Sequence, residues 1–229
     1  MKYQVLLFDL DHTLWDYETN SRETLIELHE HYKLAEKGIL ETEFLTAFYR
    51  INNELWDQYD RGLLHRDVIR NERFHRIFQT FGLDNYALSL KLSDDYIHQS
   101  PQKGNLVEDC VEILEYLQPR YPMVIVTNGF EEIQATKLHS SGIHHFFKSI
   151  VTSARAGHKK PAKEIFEFAL TESGFQPHQA IMIGDNLLTD IAGAANANID
   201  TVFFNPNGQA CPTTVNHEIK ALRELMNFL

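Results

Sequence analysis

The chain has 229 residues, 43% hydrophobic and 23% charged, ordinary globular proportions that exclude collagen-like, fibrous and disordered classes. Its 32 acidic and 21 basic residues leave a net charge of −11, which offers no basic field to polynucleotides or an anionic membrane and requires a local positive centre for any anionic ligand. Two cysteines, Cys110 and Cys211, build neither a disulfide framework nor a Cys-x-x-Cys zinc site, in keeping with a reducing compartment.

The first element is the apolar run Val5-Leu6-Leu7-Phe8, bounded by charge. It is far too short for a signal peptide, and nowhere do roughly 18 apolar residues follow one another, so a cytoplasmic protein without a membrane span is expected. Continuous apolar runs of this length predict strands buried on both faces. From Tyr17 to about Ser100 no such run occurs. Amphipathic segments at 24–28, 44–49 and 74–78, separated by Gly38, Gly62 and Gly82, predict about four helices there instead. From about residue 105 the pattern alternates. Strand runs at 123–126, 180–183 and 201–204, with a weaker one at 149–152, are interleaved with helical spacings such as Val107, Cys110, Leu114, Leu117 and Leu188, Ile191, Ala192, Ala195. The predicted fold is α/β, a parallel sheet covered by helices, with residues 1–16 and 101–229 forming the core and 17–100 an inserted all-helical domain. An insertion following the first strand, at the end where open sheets bind ligands, is expected to lie over the site as a lid.

Chemistry concentrates where the strands end. Asp9 and Asp11 follow the first strand and project to one side if the extended conformation continues that far. Two carboxylates about 4 Å apart repel by roughly 4 kcal/mol at an effective dielectric of 20. Such a pair either ends a strand and caps a helix, or needs a cation or a shared proton. Asp185, after the strand at 180–183, and Asp190, one turn further, form a second acidic cluster. Beside Asp9, Asp185 would complete a hard oxygen site suited to magnesium. Thr127-Asn128-Gly129 offers a hydroxyl and backbone N–H groups ahead of a helix, a cradle for an anion or simply a polar turn. Lys160 stands directly before Pro161 and could supply the positive centre.

In this order, Asp9-x-Asp11-x-Thr13, Thr127-Asn128-Gly129, Lys160-Pro161 and Gly184-Asp185-x-x-x-x-Asp190 resemble the four motifs of the haloacid dehalogenase (HAD)-like hydrolase superfamily, across nearly the whole chain. The insertion resembles a C1 cap. The resemblance implies a Rossmann-like core of strand order 5-4-1-2-3 and magnesium-dependent phosphoryl transfer through an aspartyl-phosphate. Asp9 would be the nucleophile and Asp11 the general acid, then base, retaining a proton while Asp9 stays ionised. Mg2+ would be held by Asp9, the Asp11 carbonyl and Asp185, with Asp190 ordering these ligands from behind. Thr127, the Asn128 backbone and Lys160 would clamp the phosphoryl oxygens. Dehalogenases of the superfamily lack the second acid, so Asp11 points to a phosphatase.

The stretches 55–62 and 70–74 with Thr127-Asn128-Gly129-Phe130 are similar to the YjjG-type pyrimidine 5′-nucleotidases, whose substrates are nucleoside monophosphates such as UMP, dUMP and dTMP. The expected partner is therefore a small phosphorylated metabolite, with a phosphatase for a sugar phosphate as the alternative and a catalytically silent phosphate- and metal-binding module as a third reading. Trp15, Tyr17 and Phe130, or Trp56 and Tyr59, could stack on a base, although core packing is the better reading for each of them. His144-His145 and His29-x-His31 lack the spacing of a zinc pair and are read as surface or loop residues, and Cys110 as core.

Overall fold

The computed structural model describes residues 2–229. The five apolar runs all become strands, namely β1 (Val5–Phe8), β2 (Met123–Thr127), β3 (Phe147–Thr152), β4 (Ala180–Gly184) and β5 (Asp200–Phe204), all parallel to their neighbours. The sheet runs β3-β2-β1-β4-β5-β6, the predicted 5-4-1-2-3 order with one further strand, β6 (His217–Ile219), on the β5 edge. Three residues with polar His217 and Glu218 carry no apolar run, which is why the sequence did not announce β6.

The chain divides into two compact units, one comprising residues up to Tyr17 together with Gly104–Leu229, the other Glu18–Lys103. In the sheet unit, side chains alternate between two cores. Leu6, Phe8, Met123, Ile125, Ile181, Ile183 and Val202 face α5 (Cys110–Leu117) through Ile113, Leu114 and Leu117. Val5, Leu7, Val124, Val126 and Met182 face Ile165, Phe166, Ala169 and Leu170 of α8 (Lys163–Ser173). The rest of this unit holds α6 (Glu131–Ser140), the short α7 (Ser153–Ala156) and α9 (Gly193–Asn196). Each large apolar side chain so buried contributes about 1.5–3 kcal/mol. Cys110 is core as expected, and burial pushes its thiol up to about 12.

The helical unit is built from α1 (Tyr17–His31, from Glu18 onward), α2 (Glu41–Asp60), α3 (Arg66–Thr80) and α4 (Tyr86–Gln99), the four helices expected. Leu25, Leu28, Phe44, Phe48, Ile51, Leu55, Phe74, Ile77, Phe78 and Leu92 form its core. His29 corrects the surface reading: it is 7% exposed, its Nε2 is 2.8 Å from the Ile39 carbonyl, and its ring lies beside Phe44, because α1 turns this position inward. No helix among the described residues is long and apolar enough to cross a membrane.

The predicted stripe Leu188, Ile191, Ala192, Ala195 is not realised. Leu188 and Ala195 are exposed because residues Leu187–Ala192 form a π-helix, in which the Ile191 N–H reaches the Asn186 carbonyl at 3.1 Å, five residues back. Such widened turns cluster at functional sites. With β1 flanked by β2 on one side and β4 on the other, the carboxyl ends of these three strands form the switch point at which an open parallel sheet binds ligands.

Candidate active site

The chain extends one residue past β1, the Asp9 N–H donating to the Ile183 carbonyl at 2.9 Å, and then turns, the Leu10 carbonyl accepting the N–H groups of Leu14 and Trp15. Strand alternation therefore stops at Asp9, and Asp11 is placed by a turn in which His12 takes a left-handed φ of 63°. The two acids have different ion-pair partners. Each has its own ammonium: Lys160 Nζ lies 2.6 Å from Asp9 Oδ1, and Lys137 Nζ lies 2.5 Å from Asp11 Oδ1.

Lys160 is 2% exposed and also binds Asp190 Oδ1 at 2.5 Å. Burial alone would lower its pKa, but Asp190 and Asp9 outweigh burial and hold it above the ordinary lysine value. Its backbone is fixed as well. Asn128 Nδ2 donates to the Lys160 carbonyl and the Lys160 N–H donates to Asn128 Oδ1, so the Asn128 side chain anchors the lysine loop to the end of β2.

Asn186 caps the π-helix, accepting the N–H groups of Leu188 and Thr189, which spares Asp185 from capping. Asp185 Oδ1 accepts from Thr13 Oγ1 at 3.2 Å. Asp190 is fully buried with a partner on each oxygen, Lys160 on Oδ1 and the Asn186 N–H on Oδ2. Gly184 makes this possible, since a Cβ there would come within 2.4 Å of Asp190 Oδ2.

One carboxylate oxygen from each of Asp9, Asp185 and Asp190 lies within 4.8 Å of the others. Three carboxylates around one ammonium leave an excess of about two negative charges in a buried place, if all are ionised. Burial drives Asp9 well above the usual carboxylate range, Lys160 opposes the rise, and Asp190 and Asp185 add to it. Asp185 is pushed up to about 7, by burial first, then by Asp190, against Lys160 and Thr13. A hard divalent cation fits this donor set, because it removes the charge excess and prefers carboxylate oxygen. Asp190, its oxygens already engaged, suits ordering the group better than ligating.

At Asp11 burial would raise the pKa, but the Lys137 ammonium and the Gln134 amide hold it below the ordinary carboxylate value. Lys137 is itself buried, its Nζ 4.3 Å from the centre of the Trp15 ring. Trp15 is thus core and support for a cation, not a platform for a base. Trp56 and Tyr59 in α2 pack edge to face at 5.5 Å against the core of the helical unit. Gln134 and Lys137 were absent from the sequence reading. Their only signal is that α6, following Thr127-Asn128-Gly129, buries polar residues three apart where an apolar stripe is ordinary.

Gln134 Nε2 donates to both Thr127 Oγ1 and Asp11 Oδ2, linking β2 to the turn after β1. Asp9, Lys160, Asp185 and Asp190 therefore form one cluster, to which Asn128 is joined through Lys160, while Thr127 and Asp11 are joined to each other through Gln134. All seven belong to the sheet unit.

A model of the haloacid dehalogenase-like hydrolase family matches residues 6–204. The pyrimidine 5′-nucleotidase PynA of Streptococcus pneumoniae is 31% identical over 237 residues, covering 100% of this chain and 96% of the relative. The pyrimidine 5′-nucleotidase YjjG of Escherichia coli is 26% identical, covering 97% and 98%. Among solved structures, magnesium-bound YfnB of Bacillus subtilis superimposes with a TM-score of 0.88 at 30% identity, covering 99% of this chain and 98% of that one.

Proposed function

Since the chain belongs to the haloacid dehalogenase-like hydrolase family, we propose that it is a magnesium-dependent phosphatase that hydrolyses nucleoside 5′-monophosphates, pyrimidine nucleotides above all. The observation that carries this reading is the Asp9 carboxylate at the end of β1, paired with buried Lys160 and grouped with Asp185 and Asp190. The similarity to PynA and YjjG over nearly the full length supports the substrate class. On this reading residues 1–16 and 101–229 are the catalytic core and 17–100 an inserted cap.

Asp9 attacks phosphorus, forming an O–P bond as the bond to the nucleoside 5′-oxygen breaks, and the leaving oxygen takes a proton from Asp11 in its acid form. Water then attacks the aspartyl-phosphate, giving its proton to ionised Asp11, and phosphate and the Asp9 carboxylate are regenerated. The resting pairing of Asp11 with Lys137 favours the second half of this cycle, in which it acts as base. Lys160, the Thr127 hydroxyl and the Asn128 backbone N–H hold the phosphoryl oxygens. Bound Mg2+, held by Asp9, Asp185 and the Asp11 carbonyl, supplies charge neutralisation for the dianionic phosphate.

The test is phosphate release from dUMP, UMP, dTMP, purine nucleotides and sugar phosphates at equal concentration, with Mg2+ and with chelator. Pyrimidine nucleotides are expected to lead, with turnover abolished by chelation and by Asp9→Asn. A clear preference for a sugar phosphate overturns the nucleotide assignment, and an unaffected Asp9→Asn variant overturns the mechanism.

A further inference from the structure

Gln134 is fully buried in α6, yet the polar end of its side chain is turned to the site. Its Nε2 donates to Thr127 Oγ1 at 2.7 Å and to Asp11 Oδ2 at 2.9 Å. Thr127 Oγ1 also accepts the Gly129 N–H at 3.0 Å. A hydroxyl has one proton and two acceptor positions. With both acceptor positions taken by N–H groups, the Thr127 proton must point away from them, as a donor.

Both protons of the amide are committed, one to Asp11 Oδ2 and one to Thr127 Oγ1. The consequence is that Gln134 Oε1 is buried with no partner. An apolar side chain of the same length would fill this space without an orphaned acceptor, so packing alone does not account for glutamine here. The neighbouring glycine is fitted to the amide: a Cβ at Gly129 would come within 2.1 Å of Gln134 Nε2.

We infer that Gln134 is a positioning residue for phosphoryl transfer, whose amide fixes the Thr127 hydroxyl as a donor to the phosphoryl group and ties it to the orientation of Asp11. The inference rests on the phosphatase reading given above. It assigns Gln134 no contact with substrate. The amide acts through Thr127, where a preset donor need not reorganise as charge develops on the transferring group.

The experiment measures kcat and KM of the full chain for dUMP with Mg2+, in the wild type, Gln134→Met, Thr127→Val and the double variant. Methionine keeps the length of the side chain and removes both hydrogen bonds. Gln134→Met is expected to lower kcat about tenfold with little change in KM, less than the 10²–10³ that loss of a whole oxyanion donor costs. Thr127→Val is expected to cost about a hundredfold, and the double variant clearly less than the product of the two single losses, since with the hydroxyl gone only the bond of the amide to Asp11 remains to be lost. Multiplicative losses in the double variant, the result of a purely structural role, overturn the inference. Gln134→Glu keeps the shape but turns a donor into an acceptor, so it is expected to fall below Gln134→Met. Wild-type kcat in Gln134→Glu overturns the inference even where Gln134→Met fails to fold. A wild-type protein that releases no phosphate overturns the phosphatase reading and the inference together, whereas multiplicative losses in an active enzyme remove only the role of Gln134.

Discussion

Asn128 and Lys160 hold each other by a reciprocal pair of hydrogen bonds, the Asn128 Nδ2 donating to the Lys160 carbonyl at 3.0 Å and the Lys160 N–H donating to Asn128 Oδ1 at 2.8 Å. Both residues are buried and thirty-two positions apart in sequence, so this pair sets where the ammonium between Asp9 and Asp190 can sit. Asn128→Ala strands a buried N–H and a buried carbonyl, at about 1–3 kcal/mol for each group left unpaired. The expected result is a lower Tm together with a phosphate-release rate reduced at least about tenfold, since a misplaced charge loses its electrostatic effect on the transferring group. An unchanged rate in a destabilised variant would mean that Lys160 is positioned by its carboxylates alone.

Asp185 gives the metal-free protein a distinctive pH dependence. Its pKa in the fold is about 7, against about 4 in the unfolded chain. The folded state therefore binds more protons between these values, and stability falls as pH rises through that window. With chelator present, Tm is expected to drop between pH 5 and about 7. Mg2+ competes with the proton for the same oxygens and is expected to flatten or reverse the slope, adding stability in proportion to RT ln(1 + [Mg2+]/Kd). Thermal melts across pH, with and without Mg2+, check this, and Asp185→Asn is expected to reduce the slope to the part that Asp9 contributes and to weaken the metal effect.

Much of this site was legible because parallel strands buried on both faces leave a plain trace. The runs at 5–8, 123–126, 180–183 and 201–204 fit the middle of a sheet, and each of the first three is followed within a few residues by an acid or a polar turn. What stayed hidden was set by packing between elements distant in sequence. Lys137 and Gln134 lie on a helix with no apolar stripe to advertise which face turns inward, and their partners come from the turn after β1. His29 was hidden for the same reason, its partner being the Ile39 carbonyl beyond the end of α1. The π-helix at Leu187–Ala192 defeated the periodicity itself, since a pattern read at 3.6 residues per turn places Leu188 inward where the structure exposes it.

The two site glycines separate packing from chemistry. A Cβ on Gly184 collides with Asp190 at 2.4 Å, where the displaced carboxylate is buried and shared with Lys160. A Cβ on Gly129 collides with Gln134, whose amide serves Thr127 and Asp11. Gly184→Ala is expected to cost about 1–3 kcal/mol in urea unfolding by overpacking alone, with activity lost as well. Gly129→Ala is expected to reproduce the kinetic loss of Gln134→Met at a smaller cost in stability. Equal stability losses with unequal rates would reverse this assignment.

Lys137 is expected to divide the two halves of the catalytic cycle. Its ammonium, together with the Gln134 amide, holds Asp11 below the ordinary carboxylate pKa against the pull of burial. In Lys137→Met, burial is left largely unopposed, so the pKa of Asp11 rises and its acid form persists to higher pH. The first half of the cycle tolerates this, most of all with p-nitrophenyl phosphate, whose leaving group departs without needing a proton. The second half needs ionised Asp11 to take a proton from water, so it slows wherever pH lies below the raised pKa. The acid limb of the kcat profile is therefore expected to move to higher pH. Rapid mixing with p-nitrophenyl phosphate near neutral pH is expected to show a burst approaching one nitrophenolate per protein, the sign of an accumulating aspartyl-phosphate, larger than in the wild type. A variant with no added burst and an unmoved acid limb would place the control of Asp11 elsewhere, and would leave Lys137 a support for the Trp15 ring and the turn after β1.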